Sequence, residues 1–475
     1  MSHSLAFPPV ARSRLPGRLI WRFQRDRLGV IASLAREHGD LVQLPMPGRE
    51  LFIVSHPELI RQVLEAAPGR FTKGRGLENA ALLLGKGLLT SEGSLHARQR
   101  RRMQPAFHRQ QIQRYAGQMV QLADAHVSEW QDGQTVDVAA EMMHLTRAIV
   151  ARCLFDWSPE GFDDAIDQAL HTLVSSFGVP GAMLLPLWVV ERGWLPGTQG
   201  LADARASLDA LVYRMIAERR NDPAGREDLL TMLVQARDDR AGDPGMDDGQ
   251  LRDEIMTLFL AGHETTANAL AWTLYLLGEH PESLARLLAE LDRVLPDRLP
   301  TAADLGALVY TRQVLSEAMR LYPPAWVVGR RASVDVALGG CGIPRGATLL
   351  MSQWVVHRDP RWYASPERFQ PERWADASTA ERPKYAYFPF GGGPRRCIGE
   401  AFAWMEGSLL LATILRRWRP RLVPGHPVEP EPLITLRPRH GIRMRLALRR
   451  PMTGRGAVPA RREPELAEDL HEGPL

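Results

Sequence analysis

The longest helical pattern in this chain runs from Leu251 to His280. Apolar and small residues recur there at spacings of three and four, which is typical of an α-helix with one buried face. Most of the chain between about residues 91 and 322 shows the same periodicity. Stretches rich in Gly and Pro interrupt it at residues 175–197 and 237–249, and we expect the second, acidic stretch to be a solvated loop. The pattern predicts a mainly helical protein.

Short alternating segments near both ends of the chain predict strands. Residues 41–54 (LVQLPMPGRELFIV) indicate two strands joined by a Pro/Gly turn. After residue 324 the segments VDVALGG and ATLLMS indicate further strands, and residues 432–448 predict a C-terminal hairpin. We therefore expect a mainly α fold with a minor β region, formed by residues 1–450 as one domain. Residues 451–475 mix Pro, Gly and charge, which predicts a disordered tail.

The composition changes this picture little. Of 475 residues, 45% are hydrophobic and 24% are charged, as in ordinary globular proteins. The longest uncharged apolar stretch, Phe177 to Val190, is shorter than the roughly 18 residues that a membrane span needs. The N-terminus has no apolar run typical of a signal peptide. We expect a soluble, cytoplasmic protein without a membrane anchor.

The counts of cations and cysteines limit the classes of site. The net charge is +4, and arginine supplies almost all of the cations. Mild basicity permits nucleic acid as a partner but does not require it. Cys153, Cys341 and Cys397 lie far apart without a CxxC pair, which argues against a structural zinc site and a disulfide framework. One functional thiolate remains open.

One face of the long helix consists of small and hydroxyl-bearing residues, with Glu264 at its margin. Such a face is typical either of a close helix–helix contact or of a surface lying against a planar ligand. In the second interpretation Thr265 and Glu264 handle protons, and the Thr265 hydroxyl bonds to the Ala261 carbonyl one turn back. The face comprises Leu258, Ala261, Gly262, Thr265, Thr266 and Ala269.

Two further groups of polar residues stand beside apolar segments. Glu317 and Arg320 are three apart on one helix face, and a buried pair of this kind needs another partner. Arg373 in FQPERW is the candidate. Separately, basic residues recur in four scattered segments, a pattern that an anionic cofactor explains better than a nucleic-acid surface does. These residues are His96, Arg100, Arg330 and Arg395.

The segment FPFGGGPRRCIGE places Cys397 after three glycines, a proline and two arginines. A metal-binding thiolate needs donors near its sulfur and positive potential around it. Gly393 and Gly399 allow close backbone approach to a flat ligand, and Arg395 suits a carboxylate at the ligand's edge. Haem offers both a flat ring and propionates. Taken alone, a buried inert cysteine would be the default interpretation.

These motifs together resemble the cytochrome P450 monooxygenases over most of residues 41–446. The cysteine segment is similar to the family's F-x-x-G-x-R-x-C-x-G signature, AGHET at residues 261–265 to its oxygen-activating helix motif, and EAMR at residues 317–320 to its E-x-x-R. The signature residues are Phe390, Gly393, Arg395, Cys397 and Gly399.

The resemblance implies a triangular helical prism with haem between the Thr265 helix and the Cys397 loop. Cys397 would be the axial thiolate of haem b, and Thr265 with Glu264 would deliver protons during oxygen activation. Glu317, Arg320 and Arg373 would form the buried structural triad, and Arg368 in the preceding PER is a minor rival to Arg373. The propionates would be bound by His96, Arg100, Arg330 and Arg395, with His96 standing where many members carry Trp.

The implied activity is insertion of one oxygen atom of O2 into a C–H or C=C bond of a lipophilic molecule such as a terpene, a fatty acid or a carotenoid. Electrons would come from a separate donor of the ferredoxin/ferredoxin reductase or flavodoxin type, because the sequence has no dinucleotide fingerprint and no clustered cysteines. No nucleic-acid partner is expected. A peroxide-driven peroxygenase of the same fold and a non-catalytic haem-binding sensor are the alternatives.

Overall fold

The computed structural model describes residues 6–11, 17–46, 48–157, 200–222, 228–236, 245–375 and 381–449, together with Ala169, Thr172 and Arg192. The predicted tail at residues 451–475, the apolar stretch at residues 177–190 and most of the predicted acidic loop lie outside the described residues. The prediction of one domain over residues 1–450 therefore stays a prediction.

Helices dominate the described part of the chain, as the sequence pattern predicted. Three of the helices concern the active site: α5, α10 and α14. The helices are α1 (Arg18–Arg25), α2 (Arg27–His38), α3 (Pro57–Leu64), α4 (Arg75–Leu84), α5 (Gly93–Met103), α6 (Arg109–Ser128), α7 (Val138–Phe155), α8 (Leu201–Asn221), α9 (Leu229–Gln235), α10 (Asp248–Glu279), α11 (Pro281–Val294), α12 (Val309–Leu321), α13 (Gln353–Val356) and α14 (Glu400–Arg417).

The strands of the described part are short and form four small sheets. A five-stranded sheet has the order β1-β2-β8-β5-β3, a three-stranded sheet the order β4-β12-β9, and β6-β7 and β10-β11 form two-stranded sheets. The strands are β1 (Leu41–Met46), β2 (Arg49–Val54), β3 (Phe71–Lys73), β4 (Thr135–Asp137), β5 (Val328–Ala332), β6 (Val336–Leu338), β7 (Cys341–Ile343), β8 (Thr348–Met351), β9 (Trp418–Leu422), β10 (Pro430–Pro432), β11 (Leu436–Pro438) and β12 (Arg443–Leu448).

The sheets join the two ends of the chain. The N-terminal strand β2 pairs in parallel with β8, almost 300 residues later, through partners such as Leu51 and Thr348. The predicted hairpin at residues 41–54 is confirmed, since β1 and β2 pair antiparallel. A mainly α fold with a minor β region is also confirmed.

The single C-terminal hairpin predicted over residues 432–448 is wrong. The hairpin is formed by β10 and β11, and the following strand β12 pairs instead with β4 and β9. Pro438 ends β11 because proline cannot donate to a ladder. Gly441 then turns the chain at a φ of 68°, and Asp137 accepts the Ile442 amide at 2.8 Å. These local contacts direct the last strand into another sheet.

Helix α10 passes through the interior of the described structure. It begins three residues earlier than predicted because the Asp247 side chain caps it, accepting the Gln250 amide at 2.7 Å. Trp272 is completely buried, stacks on Tyr322 with ring centroids 4.1 Å apart, and donates to the Leu436 carbonyl at 2.9 Å. These contacts hold α10 against the β10–β11 hairpin. Within the described residues, no helix is long and apolar enough to cross a membrane.

Candidate active site

Ala261 and Thr265 interrupt the burial of α10. The residues just before Ala261 are buried, yet Ala261 itself is exposed and Thr265 is only half-buried. The Thr265 hydroxyl donates to the Ala261 carbonyl at 2.8 Å, which is the bond expected from the sequence. Because that bond uses the hydroxyl hydrogen, the Thr265 oxygen is free to accept another hydrogen bond. This part of α10 therefore presents small and hydroxyl groups to accessible space in the protein.

Glu264 points to the β10–β11 hairpin. Its carboxylate is buried, and its Oε1 accepts Arg437 Nε at 2.6 Å and the hydroxyl of Thr435. Asn268, one turn further along α10, donates its side-chain amide to Thr435 Oγ1 at 3.1 Å. Sequence reasoning missed Arg437 and Thr435, since they lie more than 170 residues from Glu264 and in no local motif.

Cys397 lies in the loop that leads into α14. Its amide donates to the Phe390 carbonyl at 3.0 Å, which closes the loop, and the Phe390 ring packs 5.5 Å from that of Trp404. The Gly399 amide is directed at Cys397 Sγ. The cysteine side chain is accessible to solvent-sized molecules although many protein atoms lie around it.

Two opposing effects act on the Cys397 thiol. Burial raises its pKa to about 11, while the Gly399 amide favours the thiolate. A sulfur supplied with an amide donor in a dense surrounding is suited to a metal cation, which stabilises the thiolate far more than an amide does.

Gly393 is required for a reason that the sequence did not reveal. Its φ is 66°, and a Cβ at this position would overlap the carbonyl oxygen of Leu64 at the end of α3. The glycine therefore lets the cysteine loop pack onto α3, and the close approach is to protein backbone.

Three of the predicted propionate residues, namely His96, Arg330 and Arg395, are brought together around the carboxylate of Glu92. Arg395 pairs with Glu92, which also accepts the Lys73 amide at 2.5 Å. Arg330 on β5 is buried, and burial together with Arg395 lowers its pKa to about 10. His96 on α5 is buried as well, and burial followed by the charges of neighbouring cations lowers its pKa to about 4.

Lys73 was not predicted, although it is one of only three lysines in the chain. It is buried, and its Nζ donates to the carbonyls of Leu88 and Ser91 at 2.7 and 2.8 Å. Burial, the leading cause, and the charge of Arg395 lower its pKa to about 7. A lysine in an arginine-rich chain was the signal that could have found it.

The cation cluster fits an anionic group. Arg395 Nη1 is buried and has no hydrogen-bond partner among the described residues. Arg100 donates from Nη1 to the Arg396 carbonyl at 2.8 Å, next to Cys397. With Lys73, Arg330 and Arg395 all near Glu92, positive charge exceeds negative charge. Such a donor set beside a cysteine suits the carboxylates of a haem.

Glu317 and Arg320 form a completely buried pair on α12. Arg320 donates from Nε and Nη2 to the two carboxylate oxygens at 2.9 and 2.8 Å. Arg373 donates from Nε to Glu317 Oε1 at 2.8 Å, and Trp374 donates to Oε2 at 2.9 Å. Arg368 contributes its backbone carbonyl, which accepts from Arg320 at 3.0 Å.

Comparison with known proteins decides the family. Residues 8–443 match the family model described as Cytochrome P450. The chain belongs to the cytochrome P450 family. It is therefore an oxidoreductase, a monooxygenase that uses O2, a redox partner and a haem iron bound by a cysteine thiolate, and that acts on lipophilic substrates.

Three relatives show the range of similar P450 enzymes. The chain is 41% identical to cyclooctat-9-en-7-ol 5-monooxygenase of Streptomyces melanosporofaciens over 84% of this chain and 86% of that protein. It is 36% identical to pentalenene oxygenase of Streptomyces avermitilis over 91% of this chain and 95% of the relative. It is 29% identical to the chloroplastic carotene epsilon-monooxygenase of Arabidopsis thaliana, over 87% and 80% of the two chains.

Proposed function

We propose that this P450 oxygenates a terpene. The observation that carries the proposal is the 41% identity to cyclooctat-9-en-7-ol 5-monooxygenase over 84% of the chain. The similarity to pentalenene oxygenase supports the same substrate class. The carotenoid enzyme is the more distant of these relatives, and no fatty-acid enzyme is among the three. A terpene is therefore favoured over a carotenoid or a fatty acid.

Cys397 is the proposed axial ligand of haem b. The Gly399 amide near its sulfur and the loop closure onto Phe390 support this role. Arg395, with its buried unpartnered Nη1, is the proposed principal partner of a propionate. His96, Arg100 and Arg330 complete the proposed propionate site. Haem ligated by a thiolate supplies the reductive cleavage of O2 and the oxidation of an otherwise unreactive C–H bond.

Thr265 and Glu264 are the proposed proton-handling residues. At rest the Thr265 hydroxyl donates to the Ala261 carbonyl, and to pass a proton on it releases this hydrogen and takes a replacement on its free lone pair. Glu264 is the adjacent titratable group and can resupply a proton to Thr265. Ala261, being small and exposed, leaves room in front of Thr265.

The electron donor is proposed to be a separate acidic protein of the ferredoxin or flavodoxin type. Arg396 is exposed beside Cys397, and Arg417 lies at the end of α14, the helix that begins three residues after Cys397. Two arginines, one beside the haem ligand and one at the far end of α14, suit an acidic partner. The cytoplasmic location predicted from the sequence stays a prediction.

The substrate class is tested by spin-state titration followed by turnover. The haem-loaded protein is titrated with cyclic terpenes, fatty acids and β-carotene, then supplied with isotopically labelled O2 and a ferredoxin system. The expected result is a spin shift and a singly labelled alcohol or epoxide with a terpene. A shift and product only with fatty acids or carotene would contradict the proposal. Product with peroxide but none with O2 and electrons would favour the peroxygenase alternative, and a thiolate spectrum without turnover from either would favour the sensor.

A further inference from the structure

The carboxylate of Glu264 is held asymmetrically. Arg437 Nε and the Thr435 hydroxyl both donate to Oε1. Within the described part of the chain, no hydrogen bond to Oε2 is present. The two donors come from the β10–β11 hairpin, which α10 contacts through Trp272 as well. The hairpin thus fixes one oxygen of this carboxylate and leaves the other open.

Asn268 makes this arrangement directional. Its side-chain amide donates to Thr435 Oγ1, so that the Thr435 hydroxyl is oriented with its hydrogen towards Glu264. Thr435 is buried, and it therefore cannot exchange this bond for one to bulk water. The result is a chain of donors from Asn268 through Thr435 to Glu264 Oε1, joined there by the Arg437 guanidinium.

We propose that Arg437 and Thr435 are positioning residues for proton delivery, and that they make Oε2 the atom through which Glu264 exchanges its proton with Thr265. A carboxylate oxygen that accepts two hydrogen bonds, one of them from a cation, is the less basic of the pair. The proton therefore goes to Oε2, while Oε1 stays anchored. This inference rests on the proposed roles of Glu264 and Thr265.

The burial of Glu264 and Arg437 supports a role for Arg437 in orienting the carboxylate as well as in balancing its charge. The Glu264 side chain is 5% exposed and that of Arg437 is 18% exposed. Arg437 donates to Glu264 through Nε alone. Arg320, by contrast, donates through two nitrogens, one to each carboxylate oxygen of Glu317. Because Arg437 contacts only Oε1, Oε2 of Glu264 is available for proton exchange, whereas both oxygens of Glu317 are occupied.

Coupling of electron use to product is the first readout. Three variants are prepared in the wild-type and Glu264→Gln backgrounds: Arg437→Leu, Arg437→Lys and Thr435→Val. Arg439→Leu is the matched control, since Arg439 pairs with the exposed Glu429. Arg437→Leu should lower product formed per NADPH several-fold and raise peroxide, and Arg437→Lys should restore most of the loss. In the Glu264→Gln background Arg437→Leu should add no further loss. The control should match the wild type.

A second readout does not depend on turnover. The Tm of the resting haem-loaded protein is measured for the Arg437→Leu and Glu264→Gln single and double variants. A direct contact predicts that the two shifts in Tm are not additive. Haem content, the spectrum of the carbon monoxide complex and the substrate spin shift should stay as in the wild type.

Three results would overturn the inference. The first is unchanged coupling in Arg437→Leu when the wild type is active. The second is an equally large loss in the Glu264→Gln background, since Arg437 would then act elsewhere. The third is additive shifts in Tm. If Arg437→Leu does not fold, the nearly isosteric Thr435→Val decides by the same criteria. A wild type that forms no product would contradict the proposed function, and the Tm cycle would still test the contact.

Discussion

Arg320 and Glu317 share two hydrogen bonds, of 2.9 and 2.8 Å, and neither side chain has any exposed surface. The remaining Arg320 hydrogens are also used, since Nη1 donates to the carbonyls of His357 and Pro366 at 2.8 and 2.6 Å. Arg320 therefore ties α12 to the segment that follows α13. Removing it takes two of the hydrogen bonds from the buried Glu317 carboxylate and leaves the carbonyls of His357, Pro366 and Arg368 without the donor that they share.

We expect Arg320→Leu to yield little folded holoprotein. Breaking a buried ion pair by removing one partner costs about 3–5 kcal/mol of the free energy of unfolding. The measurements are haem bound per polypeptide and the midpoint of urea unfolding. Arg361→Leu is the control, because Arg361 pairs with Asp40 and Asp359 near the surface, where about 0–1 kcal/mol is expected. If Arg320→Leu and Arg361→Leu unfold at the same urea concentration, the buried Arg320 pair is no more important for stability than the exposed one.

Thr265→Ala should bind haem normally but uncouple electron consumption from product formation. Loss of the hydroxyl removes the group proposed to pass protons, so peroxide should rise several-fold per NADPH consumed while product falls. Thr273→Ala is the matched control, because Thr273 makes the same bond to a carbonyl one turn back on α10, at 2.6 Å to Ala269, in a fully buried position. Normal coupling in Thr265→Ala would contradict the proposed proton relay. An equal loss of product per NADPH in Thr273→Ala would contradict it as well.

Glu406 on α14 predicts a pH dependence of stability. Its carboxylate is buried, and burial raises its pKa to about 8 against a smaller, opposing effect of a hydrogen bond from Thr266. The unfolded chain releases this proton near pH 4.3, the ordinary value for Glu. The folded protein thus holds one extra proton between about pH 4.3 and 8. The contribution of Glu406 to stability should therefore fall as pH rises through this window, with a limiting slope of about 1.4 kcal/mol per pH unit. Buried histidines such as His96, whose pKa is lowered to about 4, contribute in the opposite direction below about pH 6.5.

Glu406→Gln should remove that slope. Urea unfolding at several pH values between 5 and 8.5 is compared for the wild type, Glu406→Gln and Glu367→Gln, the last being an exposed control. Glu254, whose pKa burial raises to about 7, contributes the same limiting slope up to that pH in every variant, so the difference between the wild-type and Glu406→Gln profiles isolates Glu406. Parallel pH profiles for wild type and Glu406→Gln would contradict the account of Glu406.

Charge reversal at Arg396 and Arg417 should raise the apparent KM for an acidic ferredoxin several-fold at low salt, and the difference should shrink as salt screens the charges. Both side chains already donate a hydrogen bond within the protein: Arg396 to Glu400, and Arg417 to Ser128. The double variant is compared with Arg439→Glu, a reversal on the β10–β11 hairpin. An unchanged KM would rule out docking at these two arginines.

Sequence patterns predicted the features that depend on local spacing. The helix that carries Thr265, its bond to Ala261 and the β1–β2 hairpin follow from periodicity and turn residues within a few positions. The contact between Glu264 and Arg437 joins residues 173 positions apart, so no local pattern encodes it. The partner of β12 was mistaken for the same reason, because strand pairing across the chain depends on tertiary packing. Lys73 and Glu92 likewise come together only in the folded protein.

The most direct test of the central claim, that Cys397 is the thiolate ligand of haem, is the absorbance spectrum of the reduced protein with carbon monoxide. Wild type and Cys341→Ser, a control at a half-buried cysteine on β7, should both show the strongly red-shifted band typical of thiolate ligation. Cys397→Ser should lose that band. Retention of the band in Cys397→Ser, or a folded wild type that binds no added haem, would contradict the assignment and every site role that depends on it.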